Sequence, residues 1–133
     1  GVIVSFMGDG ILAMWNAPQD QPDHAERAVR AARRMAAATR AVAERHGQAL
    51  RAGVGVNSGT VIAGPVGAAS RMEYTVIGEV VNVAARVEAL TRTLDVDVLV
   101  ADDTVARLGS HGLRDRGTHA LKGVPTPVRV WEA

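Results

Sequence analysis

The spacing of apolar residues switches between a period of two and a period of three to four along the chain, and each switch marks an element. Residues 2–6 are apolar and β-branched, Met7-Gly8-Asp9-Gly10 carries turn residues, and residues 11–15 resume the apolar run. That pattern predicts a β-hairpin with an aspartate at its tip. A polar loop with two prolines fills 16–22, and Asp23 followed by Glu26 has the form of a capping box. Ala25, Ala28, Val29, Ala32, Met35, Ala36, Val42 and Ala43 then recur at spacings of three and four with arginines on the other face, predicting a long helix that Gly47 ends.

Residues 51–57 alternate as a strand, Ser58-Gly59 turns, and 60–63 is apolar again, which predicts a second hairpin and then a small, flexible loop over 65–70. A strand at 73–77 leads through Gly78 into a helix over 79–93. Residues 96–101 read as a buried strand, Asp102-Asp103-Thr104 as the cap of a short helix reaching Leu108, and two strands flank Lys122-Gly123, the last over 127–131. The expected class is α+β, with helices covering one side of a mainly antiparallel sheet in one domain over 1–133.

Composition narrows the function classes. The 133 residues, 47% apolar and 22% charged, make one globular domain. A formal charge of +1 and four aromatics outside any basic cluster argue against nucleic acid as a partner. The absence of cysteine removes disulfides, thiolate metal sites and thiol nucleophiles. No apolar run approaches the roughly 20 residues that cross a bilayer, and no signal-peptide pattern opens the chain, so a cytoplasmic location is expected. Among fifteen basic residues Lys122 is the only lysine. Gly1 opens directly on a strand-like run, so the domain is expected to be N-terminally truncated.

Asn82 and Arg86 stand four residues apart in the helix over 79–93 and therefore share one face. A guanidinium offers phosphoryl oxygens a planar fork of donors, and an amide donates or accepts toward a sugar. Alone, such a pair is more simply the solvated face of an ordinary helix. Asp9, between two glycines, would suit Mg²⁺ or Mn²⁺ as a hard oxygen ligand, although turn aspartates are common. His24, His46, His111 and His119 lack metal-ligand spacing.

Three separately spaced motifs change the weighting: Phe6-Met7-Gly8-Asp9-Gly10, Tyr74-Thr75-Val76-Ile77-Gly78 running into Asn82-x-x-x-Arg86, and Leu121-Lys122-Gly123. With Asn57-Ser58-Gly59 and Trp15-Asn16-Ala17-Pro18, they resemble the catalytic domain of bacterial class III nucleotidyl (adenylate/guanylate) cyclases over essentially the whole chain. The resemblance implies a ferredoxin-like or palm-like fold and, in intracellular signalling, conversion of ATP to 3′,5′-cyclic AMP and pyrophosphate. The ribose 3′-oxygen would attack the α-phosphorus with the help of two divalent ions, Mg²⁺ or Mn²⁺. By motif position Asp9 corresponds to one of the family's two metal aspartates and Arg86 to the arginine on the α-phosphate. Asn82 corresponds to the ribose-orienting asparagine, and Lys122 to the lysine on the triphosphate. Because the family's site lies between two domains and both kinds of residue occur here, a homodimer with shared sites is implied.

Two departures qualify the resemblance. Ser5 stands where the family's adenine-selecting lysine is found, while Thr75, the second base-reading position, tilts toward adenine; a guanylyl or low-selectivity cyclase using GTP is the alternative. The family's first metal aspartate belongs to an N-terminal strand that would precede Gly1, so it is expected upstream, where related bacterial proteins also carry sensor or membrane segments. The competing class is a non-catalytic cyclase-like module that binds nucleotide, dimerises and regulates an attached domain. A palm-like diguanylate cyclase shares the hairpin carboxylate and lacks the Asn/Arg helix.

Overall fold

The computed structural model describes residues 1–133. Strands β1 (Val2–Met7) and β2 (Gly10–Met14) form the expected first hairpin, with Met7 opposite Gly10. Helix α1 (His24–His46) ends at Gly47 in the left-handed conformation, as the sequence predicts. Asp23 does not cap it: no side-chain cap bond forms, and the carboxylate instead accepts from Arg27 Nε at 2.7 Å.

Next come β3 (Val54–Val56), β4 (Ile62–Ala68), β5 (Arg71–Ile77), α2 (Glu79–Leu94) and β6 (Val98–Ala101). The short helix α3 (Asp102–Val105), β7 (Arg114–His119) and β8 (Val128–Glu132) complete the chain. The second hairpin differs from expectation. β3 turns away from its neighbour and pairs in parallel with β6, and β4 pairs antiparallel with β5 from Ile62 opposite Ile77 to Ala68 opposite Arg71. The stretch read as a loop over 65–70 is thus mostly strand. α3 stops earlier than expected, and Asp102 lies inside it, accepting from Trp131 Nε1 at 2.9 Å rather than capping.

The central sheet runs β3-β6-β8-β7, parallel at β3–β6 and antiparallel elsewhere, and two-stranded sheets β1-β2 and β4-β5 stand beside it. The α+β class holds, but the helices occupy both faces rather than one. Val98 and Val100 of β6 pack with Val29, Ala32 and Ala36 of α1, whereas the alternate residues Leu99 and Ala101 pack with Val87 of α2. A strand whose side chains are buried on both faces is continuously apolar, which is what residues 98–101 are. No helix is long and apolar enough to cross a membrane.

α2 sits unusually low on the sheet. A Cβ at Gly55 would lie 2.3 Å from Glu88 N and 2.6 Å from Ala84 O, and one at Gly59 2.5 Å from Val80 Cγ2. The absence of side chains along this strip lets the helix backbone rest on β3.

A polar clamp closes the sheet's end. Asp97, its side chain 9% exposed, bonds Arg40 of α1 and Arg51, the latter through Nε at 2.7 Å. Burial alone would push this carboxyl up, but the hydrogen bonds from Arg51 and Arg40, with their charges, outweigh it and hold Asp97 below the usual aspartate range. A depressed carboxylate contributes stability that is present above its unfolded pKa of about 3.9 and is lost as pH falls through the folded value. Asp97→Asn is therefore expected to cost about 1–2 kcal/mol at pH 7, with the gap to wild type closing below about pH 4. Thermal melts of both proteins from pH 7 down to pH 2.5 check this, and a gap that stays constant with pH would remove the clamp as its cause.

Candidate active site

Asp9 is the second residue of the two-residue loop joining β1 and β2, and it is exposed. Such a loop needs positive φ at its first position, which Gly8 supplies at 61°. Ser5 faces Leu12 across the hairpin, directly after a register shift between Ile3 and Ser5, and Thr75 of β5 faces Gly64; both are half-buried. β1 lies along β5, so the strands bearing Ser5 and Thr75 adjoin.

α2 turns Val83, Val87 and Leu90 toward the sheet and leaves Asn82 and Arg86 exposed. Leu121 is buried in the same cluster as Val87, which brings the exposed turn residue Lys122 to the α2 side of the sheet. Asn82, Arg86 and Lys122 therefore share one side, while Asp9 belongs to a separate hairpin. None of Ser5, Asp9, Thr75, Asn82, Arg86 and Lys122 makes a side-chain hydrogen bond or ion pair within the chain. Arg86 contrasts with Arg40, Arg51 and Arg129, each held by an aspartate. A guanidinium and an ammonium left free of carboxylates are each available to anionic oxygens.

The donor chemistry at Asp9 fits a hard divalent cation: an exposed carboxylate on a tight turn, claimed by no guanidinium. It is one ligand, and no group of three or more His, Cys, Asp or Glu gathers anywhere in the chain.

Sequence reading placed Asn57 at the end of a strand and missed its contact with α2. Its Nδ2 donates to Val80 O at 3.1 Å, one turn's edge away from Asn82. The signal available was an amide closing an alternating Val/Gly strand, where a solvent-facing turn residue would serve equally.

Beside this site, a cavity of about 560 Å³ separates β2 from β3, walled by residues of α1 and α2 such as Ala32 and Ala84. β2 pairs only with β1, and β3 only with β6, so each presents a free edge there.

The chain matches the model of the Adenylate and Guanylate cyclase catalytic domain over residues 2–131, and it belongs to that family. It is 36% identical over 137 residues to Adenylate cyclase 1 of Rhizobium meliloti (strain 1021), covering 99% of this chain and 21% of that protein. The chain thus spans about a fifth of this curated relative's length. Among solved structures, the guanylyl cyclase Cya2 matches with a TM-score of 0.85 and 34% identity over 99% of this chain and 68% of its own. The adenylyl cyclase CyaB from P. aeruginosa matches with a TM-score of 0.85 and 27% identity over 99% of this chain and 70% of its own. One is named for guanylyl and the other for adenylyl chemistry, so likeness alone leaves the choice of base open.

Proposed function

We propose that this domain cyclises ATP to 3′,5′-cyclic AMP and pyrophosphate as a homodimer with sites shared between copies. The observation carrying the proposal is the exposed, unpartnered Asn82/Arg86 pair on α2, with Lys122 exposed on the same side of the sheet. In the reaction the ribose 3′-hydroxyl gives up its proton to solvent water as its oxygen bonds the α-phosphorus, and the bond to the bridging oxygen breaks to release pyrophosphate. Asn82 orients the ribose, the fork of Arg86 takes the α-phosphoryl oxygens as charge builds on them, and Lys122 holds the β- and γ-phosphates. Two bound ions, Mg²⁺ or Mn²⁺, supply charge neutralisation on the phosphates, with Asp9 as one ligand. Ser5 and Thr75 offer hydroxyls to the base, Thr75 favouring adenine.

The homodimer reading is supported by apolar side chains left open on both hairpins, Phe6 at 71% and Ile62 at 76% exposed, with Ile3, Met7, Val66 and Met72 beside them. A second copy covering them brings one chain's Asp9 toward its partner's α2. The remaining carboxylate is assigned to a strand of the intact polypeptide that pairs between the free edges of β2 and β3. The test is turnover by the intact protein with Mn²⁺ and either ATP or GTP. Cyclic AMP formed faster than cyclic GMP is expected, and a folded dimer that makes neither product sinks the reading.

A second reading is a nucleotide-binding, dimerising module that regulates an attached domain; Ser5, at the position of the family's base-selecting lysine, is what favours it. Nucleotide binding without cyclisation in the intact protein would establish it.

A further inference from the structure

Helix α1 holds six arginines against two glutamates, which makes it +4 in a chain of formal charge +1 and leaves the rest of the domain at −3. The charge is not spread evenly round the helix. Arg27, Arg30, Arg34, Ala38, Ala41 and Arg45 recur at spacings of three and four, so they form one stripe, and all six are exposed. The stripe lies opposite the buried Ala25, Ala28, Val29, Ala32 and Ala36, as the outermost ridge of the helix, and runs about 27 Å from Arg27 to Arg45. Asp23 binds Arg27 at 2.7 Å, but Arg30, Arg34 and Arg45 form no ion pair, and neither do Glu26 and Glu44. On α2 the exposed Arg92 is answered by Glu88 one turn away. On α1 Arg30 and Arg34 stand one turn apart and repel each other, which weakens the helix. A row of free cations kept against that repulsion points to an anionic partner.

Shape and composition narrow the partner. The ridge offers guanidiniums and two alanines, with no large apolar side chain to make the dry centre of a protein interface. None of its residues lines the cavity of about 560 Å³, so it is convex where a peptide would need a groove. A nucleic-acid duplex is itself convex and meets such a ridge over part of its length, whereas a plane meets it from end to end. We propose that the outer ridge of α1 docks the domain on a bilayer surface rich in acidic lipid, where headgroup phosphate and carboxylate oxygens take the forks of Arg30, Arg34 and Arg45. The contact is peripheral and reversible, because the apolar face of α1 is committed to the core. α1 and α2 lie on opposite faces of the central sheet, so the docked domain holds Asn82, Arg86 and Lys122 away from the bilayer. The inference stands on α1 and is independent of the reaction proposed at α2.

Co-sedimentation of the full 133-residue chain with vesicles tests this. Binding is expected to phosphatidylcholine vesicles carrying about 30% phosphatidylserine, and not to phosphatidylcholine alone. It should be lost between about 0.1 M and about 1 M salt, as the screening length falls from about 10 Å to about 3 Å. The triple variant Arg30→Gln/Arg34→Gln/Arg45→Gln keeps side chains that favour helix and should partition about 100-fold more weakly, roughly fivefold for each arginine. Arg71→Gln/Arg92→Gln/Arg114→Gln removes the same charge from exposed positions outside α1 and should stay within about threefold of wild type. Lys122, the only lysine, should acetylate at the same rate with and without acidic vesicles, since it faces away from them. A ridge variant within about threefold of wild type, or equal losses in the two triple variants, overturns the proposal. Acetylation of Lys122 slowed more than about threefold by acidic vesicles puts the contact on the α2 side and overturns it too. At equal concentrations of anionic groups, tighter binding to a DNA duplex or to poly-glutamate than to the vesicles gives the ridge to nucleic acid or protein instead.

Discussion

Arg86→Ala is expected to lower kcat by about 10²–10³-fold while KM moves by less than about threefold. Arg86 is exposed on the outer face of α2 and engages no carboxylate of its own chain, so the substitution removes no bond that holds the fold. Its loss should change stability by no more than about 0.5 kcal/mol. In the proposed mechanism, what is lost is a planar fork aimed at oxygens on which charge grows during attack, an interaction stronger at the transition state than in the bound substrate. Arg86→Lys should restore little, because an ammonium keeps the charge without the two-pronged geometry. Arg92 on the same helix, exposed and bound to Glu88 at 3.3 Å, provides the comparison: Arg92→Ala should keep near-wild-type turnover. Steady-state kinetics with Mn²⁺ and ATP, beside thermal melts, check all three variants. An Arg86→Ala enzyme retaining more than about a third of wild-type kcat removes this residue from the mechanism.

The hairpin tip, the long α1 helix, and the Asn82/Arg86 face were readable because each rests on local chemistry: turn glycines, a three-to-four period, an i,i+4 pair. What escaped was pairing between distant segments. The stretch before Ser58-Gly59 reads as a strand, and the next apolar run invites a hairpin, but only the tertiary fold shows that β3 chooses β6, forty-four positions away from Val54 to Val98, over its neighbour. Loop closure between such distant segments leaves no local trace. The side taken by α2 did leave one. The unbroken apolar run at 98–101 has no polar face, which requires cover from both sides. The motif positions offered Asp9, Asn82, Arg86 and Lys122 as candidates, whereas Asn57 was read as the last residue of a strand. Its distinguishing feature, an enclosed amide oxygen, exists only once β3, α2 and β2 are assembled.

Gly55→Ala is expected to destabilise the domain by about 2–4 kcal/mol and to depress cyclisation in the fraction that remains folded. The added Cβ would sit 2.3 Å from Glu88 N, 2.6 Å from Ala84 O and 2.8 Å from Glu88 Cα, all of them helix backbone that no rotamer change can move aside. Relief requires α2 to lift off β3, which opens gaps around Val87 and Leu99 and strips their dispersion contacts. Asn82 and Arg86 ride on that helix, and a displacement near 1 Å is enough to cost roughly 10²-fold in a positioned reaction. The neighbouring glycines separate crowding from backbone effects. At Gly59 a Cβ would meet Val80 Cγ2, a side-chain methyl that can yield, so Gly59→Ala should cost less than Gly55→Ala. At Gly109 nothing lies within 4 Å, and the alanine there should fall within about 0.5 kcal/mol of wild type. Urea unfolding of the three variants gives the order directly, and Gly55→Ala as stable as Gly109→Ala would mean that α2 does not rest on β3 at this point. Activity then follows the helix: a Gly55→Ala protein still folded at assay temperature should lose kcat in proportion to the lift of α2 and keep the Mn²⁺ affinity proposed for Asp9, which stands on the β1–β2 hairpin and not on α2.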